Sequence, residues 1–107
     1  MTYRVVFSTI GTREEAERLA RELLQARLVA CVNIMGPLLS LYPWQGRLQR
    51  EEEYLLLMKT AESMESALIA RLQELHPYEV PEILVLPIAA GNPAYLAWIA
   101  EALHKQE

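Results

Sequence analysis

Pro77 and Pro81 most constrain what this chain can fold into. Proline removes a backbone donor and breaks a helix, and it pushes the residue before it toward extended geometry. The run His76-Pro77-Tyr78-Glu79-Val80-Pro81-Glu82 therefore reads as a stiff connector between a helix-patterned segment and the apolar stretch Ile83 to Ile88. It carries an imidazole, a phenol and carboxylates into one small volume. Connectors this polar pair among themselves, with a neighbouring subunit or with a ligand.

The elements on either side follow from periodicity. Tyr3 to Ile10 is rich in Val, Ile and Thr and predicts a strand, which Gly11 ends. Thr12 and Glu15 have capping-box spacing. Ala16, Leu19, Ala20, Leu23 and Leu24 then repeat on one helical stripe, predicting an amphipathic helix to about Arg27. Val29 to Ile34 returns to strand chemistry, with Met35-Gly36-Pro37 as a bulge or kink. Leu38 to Trp44 continues extended, Pro43-Trp44-Gln45-Gly46 turns, and Arg47 to Thr60 comes back as a long strand. This hairpin is much longer than an average strand pair. Its Leu55-Leu56-Leu57-Met58 segment is apolar on both sides and requires cover on two faces.

Ser63 is a candidate cap for a second helix striped by Met64, Leu68, Leu72 and Leu75 and ended by His76-Pro77. Glu82 to Ile88 predicts the last main strand, with Ile83 to Leu86 buried on both faces. Asn92 as cap and Pro93 at the first helical position start a third helix. Its apolar residues Tyr95, Leu96, Trp98, Ile99 and Leu103 spread around the axis, which predicts a sandwiched helix. The order is β-α-β-β-α-β plus a C-terminal helix. That is an α+β, ferredoxin-like βαββαβ sandwich with a long hairpin, forming one domain over residues 1–107. Its free sheet face should be apolar, so a partner copy is expected.

Composition narrows the function classes. Apolar residues make up 52% of the chain, a surplus for a small domain that points to association. Net charge is −4 and there is no basic run, which argues against nucleic acid. No apolar run approaches membrane-spanning length, and no signal-peptide pattern is read at the N-terminus. Cys31 stands alone, so no internal disulfide forms, in keeping with a cytoplasmic setting.

Several residues are candidates for chemistry. His76 is the best metal ligand, with Glu79 or Glu82 joining it, since neutral imidazole suits copper and zinc. Its structural alternative is a histidine bonding a helix-end carbonyl. Cys31, between Ala30 and Val32, reads as a small buried hydrophobe. His104 is expected to meet the last helical turn or solvent. On one strand, Glu51 and Glu53 point to the same face and could meet a cation. Tyr42, Trp44, Tyr78, Tyr95 and Trp98 read as interface packing, or as walls of a cleft between protomers. No nucleophile motif, phosphate loop or paired-His motif is present, so an enzyme is not expected.

In Ala30-Cys31-Val32-Asn33, Ser40-Leu41-Tyr42-Pro43-Trp44-Gln45-Gly46, Glu53 with Lys59-Thr60, the connector His76 to Glu82, and Tyr95-Leu96 with Trp98, the chain resembles the CutA family of divalent-cation tolerance proteins. The resemblance covers nearly the whole chain. It implies a tight homotrimer in which long hairpins pair across subunits, and a link to copper and other divalent cations. Family members credited with copper binding carry a Cys on the first strand and a His-His pair before Pro-Tyr, where this chain has Ser8 and Leu75-His76. A cleft of Trp44, Glu53, Lys59, Tyr78, Tyr95 and Trp98 is the corresponding expectation. Lys59 would there supply positive charge for a small anionic ligand, as in trimeric signalling regulators. A purely structural assembly module is the third reading.

Overall fold

The ribbon of the two longest strands sets the shape. The computed structural model describes residues 2–104. Its elements are β1 (Tyr3–Ile10), α1 (Arg13–Gln25), β2 (Cys31–Trp44), β3 (Arg47–Ala61), α2 (Glu65–Leu75), β4 (Leu84–Pro87) and α3 (Pro93–Leu103), with a 3-10 turn at Glu62–Met64 before α2. The strands form one antiparallel sheet in the order β2-β3-β1-β4. The chain is elongated, 47 × 28 × 23 Å. Its radius of gyration is 14.6 Å, against roughly 13 Å for a rounded domain of similar length.

Alternation assigns the faces. Val6, Ser8 and Ile10 of β1 stand opposite Met58, Leu56 and Tyr54 of β3. This face is covered by α1 through Ala16, Leu19, Ala20 and Leu23, and by α2 through Leu68 and Leu72, making the main core. The Ser8 hydroxyl is buried there and finds no hydrogen-bond partner among the described residues. On the other face lie Val5, Phe7 and Thr9, paired with Lys59, Leu57 and Leu55, and neither α1 nor α2 reaches them. The expected two-sided strand is thus real, with Leu56 and Met58 buried on one side and Leu55 and Leu57 only half-buried on the other.

Local chemistry explains most boundaries. The Thr12 hydroxyl oxygen accepts from the Glu15 amide at 3.1 Å, as the spacing predicts. The Glu15 carboxylate, however, accepts a hydrogen bond from the Thr12 hydroxyl rather than returning to the cap amide. At the other end Arg27 adopts φ +60, an unusual conformation for a non-glycine residue. Its guanidinium donates to the Ala102 carbonyl at 3.1 Å, tying α1 to α3. Gln45 and Gly46 both have positive φ, the twist that suits a two-residue hairpin turn. Asn92 caps α3 by accepting from the Ala94 amide at 2.9 Å. Against expectation, Ser63 does not cap α2. It lies in the 3-10 turn, and the N-cap residue Met64 offers no side-chain bond.

Several expectations about burial fail within one protomer. The strand predicted over Glu82 to Ile88 is only Leu84–Pro87, because it pairs with β1 alone at the sheet edge. Ile83 and Val85 pack on the core, whereas Leu84 is 53% exposed and Leu86 is exposed beside it. α3 is not sandwiched either. Ile99 and Leu103 are buried against Ala61 and Tyr3, while Tyr95 and Trp98 stack on each other and face outward. Leu24, assigned to the α1 stripe, is also exposed.

Candidate functional site

The proline-fixed connector is pinned to the sheet by His76. Its amide caps α2 by donating to the Leu72 carbonyl at 2.9 Å, and its backbone is extended as Pro77 requires. The ring then makes two bonds. Nε2 lies 2.7 Å from the Thr9 carbonyl, and Nδ1 accepts from the Tyr78 amide at 3.1 Å. These partners assign the neutral tautomer with the proton on Nε2. The residue is 6% exposed. An imidazole with both nitrogens committed has no lone pair free for a metal, so the structure gives His76 a bracing role instead of the expected ligand role.

Bracing His76 orients Tyr78. The two rings meet edge-on with centroids 4.7 Å apart. The Tyr78 hydroxyl donates to the Glu53 carboxylate at 2.7 Å. Burial, and then the bond to Glu53, push the Tyr78 phenol well above its usual value. A similar pair lies further out on the ribbon, where the Tyr42 hydroxyl donates to Glu51 at 2.8 Å. That bond is the main reason the Tyr42 phenol is also raised.

Between the connector and the outer ribbon lies a cleft of about 490 Å³. Tyr42, Trp44 and Tyr78 form its aromatic walls, Glu51, Glu53, Glu79 and Glu82 its acidic groups, and Thr9, Gln49 and Val80 complete it. Strand alternation places Gln49, Glu51 and Glu53 on one face, which the sequence pattern could show. The contributions of Thr9 and Gln49 were missed, because a backbone contact and an uncharged amide leave no motif.

The expected cleft set therefore divides. Trp44, Glu53 and Tyr78 come together, with Glu79 and Glu82 beside them. Lys59, Tyr95 and Trp98 lie elsewhere in the same protomer. Six residues along a strand separate Lys59 from Glu53 by about 20 Å. Lys59 instead bonds the Asn33 side chain and approaches the Cys31 sulfur. Burial, followed by the Cys31 thiol, raises the Tyr95 phenol above its usual value. Cys31 is accordingly half-buried on the open sheet face rather than a core residue. Among the described residues no three His, Cys, Asp or Glu side chains converge on a point that could hold a metal ion.

Comparison with known proteins gives a consistent result. The model of the CutA1 divalent ion tolerance protein family matches residues 4–102. A divalent-cation tolerance protein CutA of Thermus thermophilus is 47% identical over 97 residues, 91% of this chain and 94% of that protein. Mouse protein CutA is 39% identical over 87% of this chain, but the match spans only 52% of the longer mouse protein. The crystal structure of CutA1 from Oryza sativa superposes with a TM-score of 0.94 at 38% identity, covering 99% of this chain and 97% of that one. With the family model matching nearly end to end and a full-length bacterial relative at this identity, the chain belongs to the CutA1 divalent ion tolerance family.

Proposed function

We propose that the chain acts as a non-enzymatic homotrimer in the response to divalent cations, meeting ions weakly at its acidic cleft. The observation that carries this reading is a cleft with four carboxylates and, among the described residues, no Lys or Arg in its lining. Such a surface attracts cations and repels anions. This sign argues against the small-anion regulator. The residues do not fit a resident copper ion: His76 is committed, and the carboxylates do not converge. Divalent ions are accordingly expected to contact Glu79 and Glu82 with much of their water retained.

The uncovered apolar surface supports the trimer. Leu84 and Leu86 on β4, Met35 on β2, and Leu39, Leu41 and Leu48 on the ribbon are all exposed in one protomer. Three ferredoxin-like protomers whose ribbons cross neighbours would cover them. The lone half-buried Cys31 suits the cytoplasm.

Copper and zinc titrations of wild type, His76→Ala and the pair Glu79→Gln with Glu82→Gln test the ion reading. Binding to folded His76→Ala should equal wild type, and the Gln pair should lose most of it. Loss on His76→Ala alone, with secondary structure retained, would restore the imidazole as ligand. Light scattering at low concentration should give three times the chain mass, and a stable monomer contradicts the assembly.

A further inference from the structure

Glu53 is a buried carboxylate without a counter-ion. It is 5% exposed, and among the described residues its one side-chain hydrogen bond comes from a neutral phenol and it makes no ion pair. A buried charge is expensive unless a positive partner meets it. Glu53 lines the cleft, so the partner can enter there.

The cleft describes that partner. A volume of about 490 Å³ is far larger than a bare metal ion needs, and its carboxylates are spread along the walls instead of converging. The Trp44 and Tyr42 rings stand in the same walls. Aromatic faces attract ammonium and guanidinium groups, most strongly where water is excluded. A planar guanidinium also presents forked donors that match a carboxylate. We infer that the cleft is a binding site for an organic cation, a guanidinium or alkylammonium group. Its positive head is held by Glu53 beside the Tyr78 and Tyr42 rings, and its tail runs outward along the cleft toward Trp44, with Glu79 and Glu82 in the same walls. This goes beyond the proposed response to divalent ions and does not depend on it.

The same chemistry has two sources. One is a free organic cation. The other is an arginine of a second copy, since Arg47 and Arg50 are exposed near the ribbon tip and make no ion pair among the described residues.

Calorimetric titration with agmatine, in chelator and at fixed low salt, separates them. Chelator removes any contribution from divalent ions, so failure of the ion reading does not alter this result. Saturable binding by wild type, weakened at least tenfold in Glu53→Gln and severalfold in Trp44→Leu, establishes the site for a free cation. Glu53→Gln keeps an acceptor for Tyr78, and its fold is checked by circular dichroism; should it unfold, Glu79→Gln combined with Trp44→Leu takes its place. No binding by wild type, but binding by the Arg47→Ser, Arg50→Ser double variant, assigns the cation to a neighbouring copy. The inference is overturned if neither protein binds, or if binding survives unchanged in folded Glu53→Gln or its substitute.

Discussion

Inside the sheet, the inner parts of β2 and β3 lie beneath two helices, with β1 beside β3. Beyond Gly36 the same two strands continue as a bare ribbon. The boundary is sharp in the pairing: β1 ends with Ile10 opposite Tyr54, and the β2–β3 register shifts between Met35 and Leu38. The inner part buries Leu56 and Met58 completely. The outer part leaves Leu39, Leu41 and Leu48 exposed. The side chains are alike, so burial is decided by whether a third layer is present. A free two-stranded ribbon is marginal in water. Its regular pairing out to the turn therefore implies support from the cleft contacts of Tyr42 and Tyr78, from neighbouring copies, or from both.

The largest expected effect lies in the inner part. Leu56→Ala removes a side chain with no exposure, and it should destabilise by about 2–5 kcal/mol through lost transfer energy and a cavity. Urea unfolding followed by circular dichroism measures it. A loss under about 1 kcal/mol would mean that the inner ribbon is not held as tightly as its burial indicates.

Next comes the joint itself. Gly36 has φ +153, and a Cβ there would stand 2.7 Å from the Tyr54 ring and 3.0 Å from the Glu53 carbonyl. Gly36→Ala should cost about 1–3 kcal/mol through this crowding, with added backbone strain. Because Glu53 borders the joint, its Tyr78 bond should loosen as well. An alanine variant as stable as wild type would show that the joint has slack, and that the two halves are less strictly divided than their registers suggest.

Most of the inner part was legible in the sequence, and much of the outer part was not. Val, Ile and Thr in β1, the α1 stripe and the capping Thr12 each state their own structure through local periodicity. Leu84 and Leu86 read as buried because an apolar run carries no sign of which face a neighbour covers. His76 read as a ligand because its partners, the Thr9 carbonyl and the Tyr78 amide, are backbone groups that no motif records. Lys59 was grouped with Glu53 by sequence order, and about 20 Å of strand parts the two within one protomer, so only a cleft between protomers could join them. Glu51 and Glu53 were legible as a pair, since alternation alone puts them on one face.

A smaller effect tests the link between connector and ribbon. The Tyr78 phenol has an ordinary pKa of 10.0, and the fold raises it, chiefly by burial and then through Glu53. The neutral form is therefore favoured by folding. Its contribution is complete below about pH 10 and is lost as pH rises above that, because the unfolded chain ionises first. Solvent reaches the cleft, so the effect should be only about 1 kcal/mol. Tyr78→Phe should lose that amount at neutral pH and show a flatter decline than wild type in alkaline urea titrations. Parallel declines would detach Tyr78 from the stability of the ribbon.

The smallest expected effect is the most discriminating. Leu48 sits two residues beyond the turn and is 76% exposed in a single protomer. Leu48→Ala should therefore change the unfolding free energy of dissociated chains by no more than about 0.5 kcal/mol, as for other surface sites. In an assembly whose ribbons cross neighbours, the same leucine is covered, and its loss should shift dissociation to higher protein concentration. Unfolding and light scattering across a dilution series separate the two cases. A change in neither would leave the ribbon tip bare in solution and place the covering surface on β4 and α3. A large loss in the dissociated chain would mean that the tip packs on its own protomer, and the contrast between the two halves of the ribbon would fail.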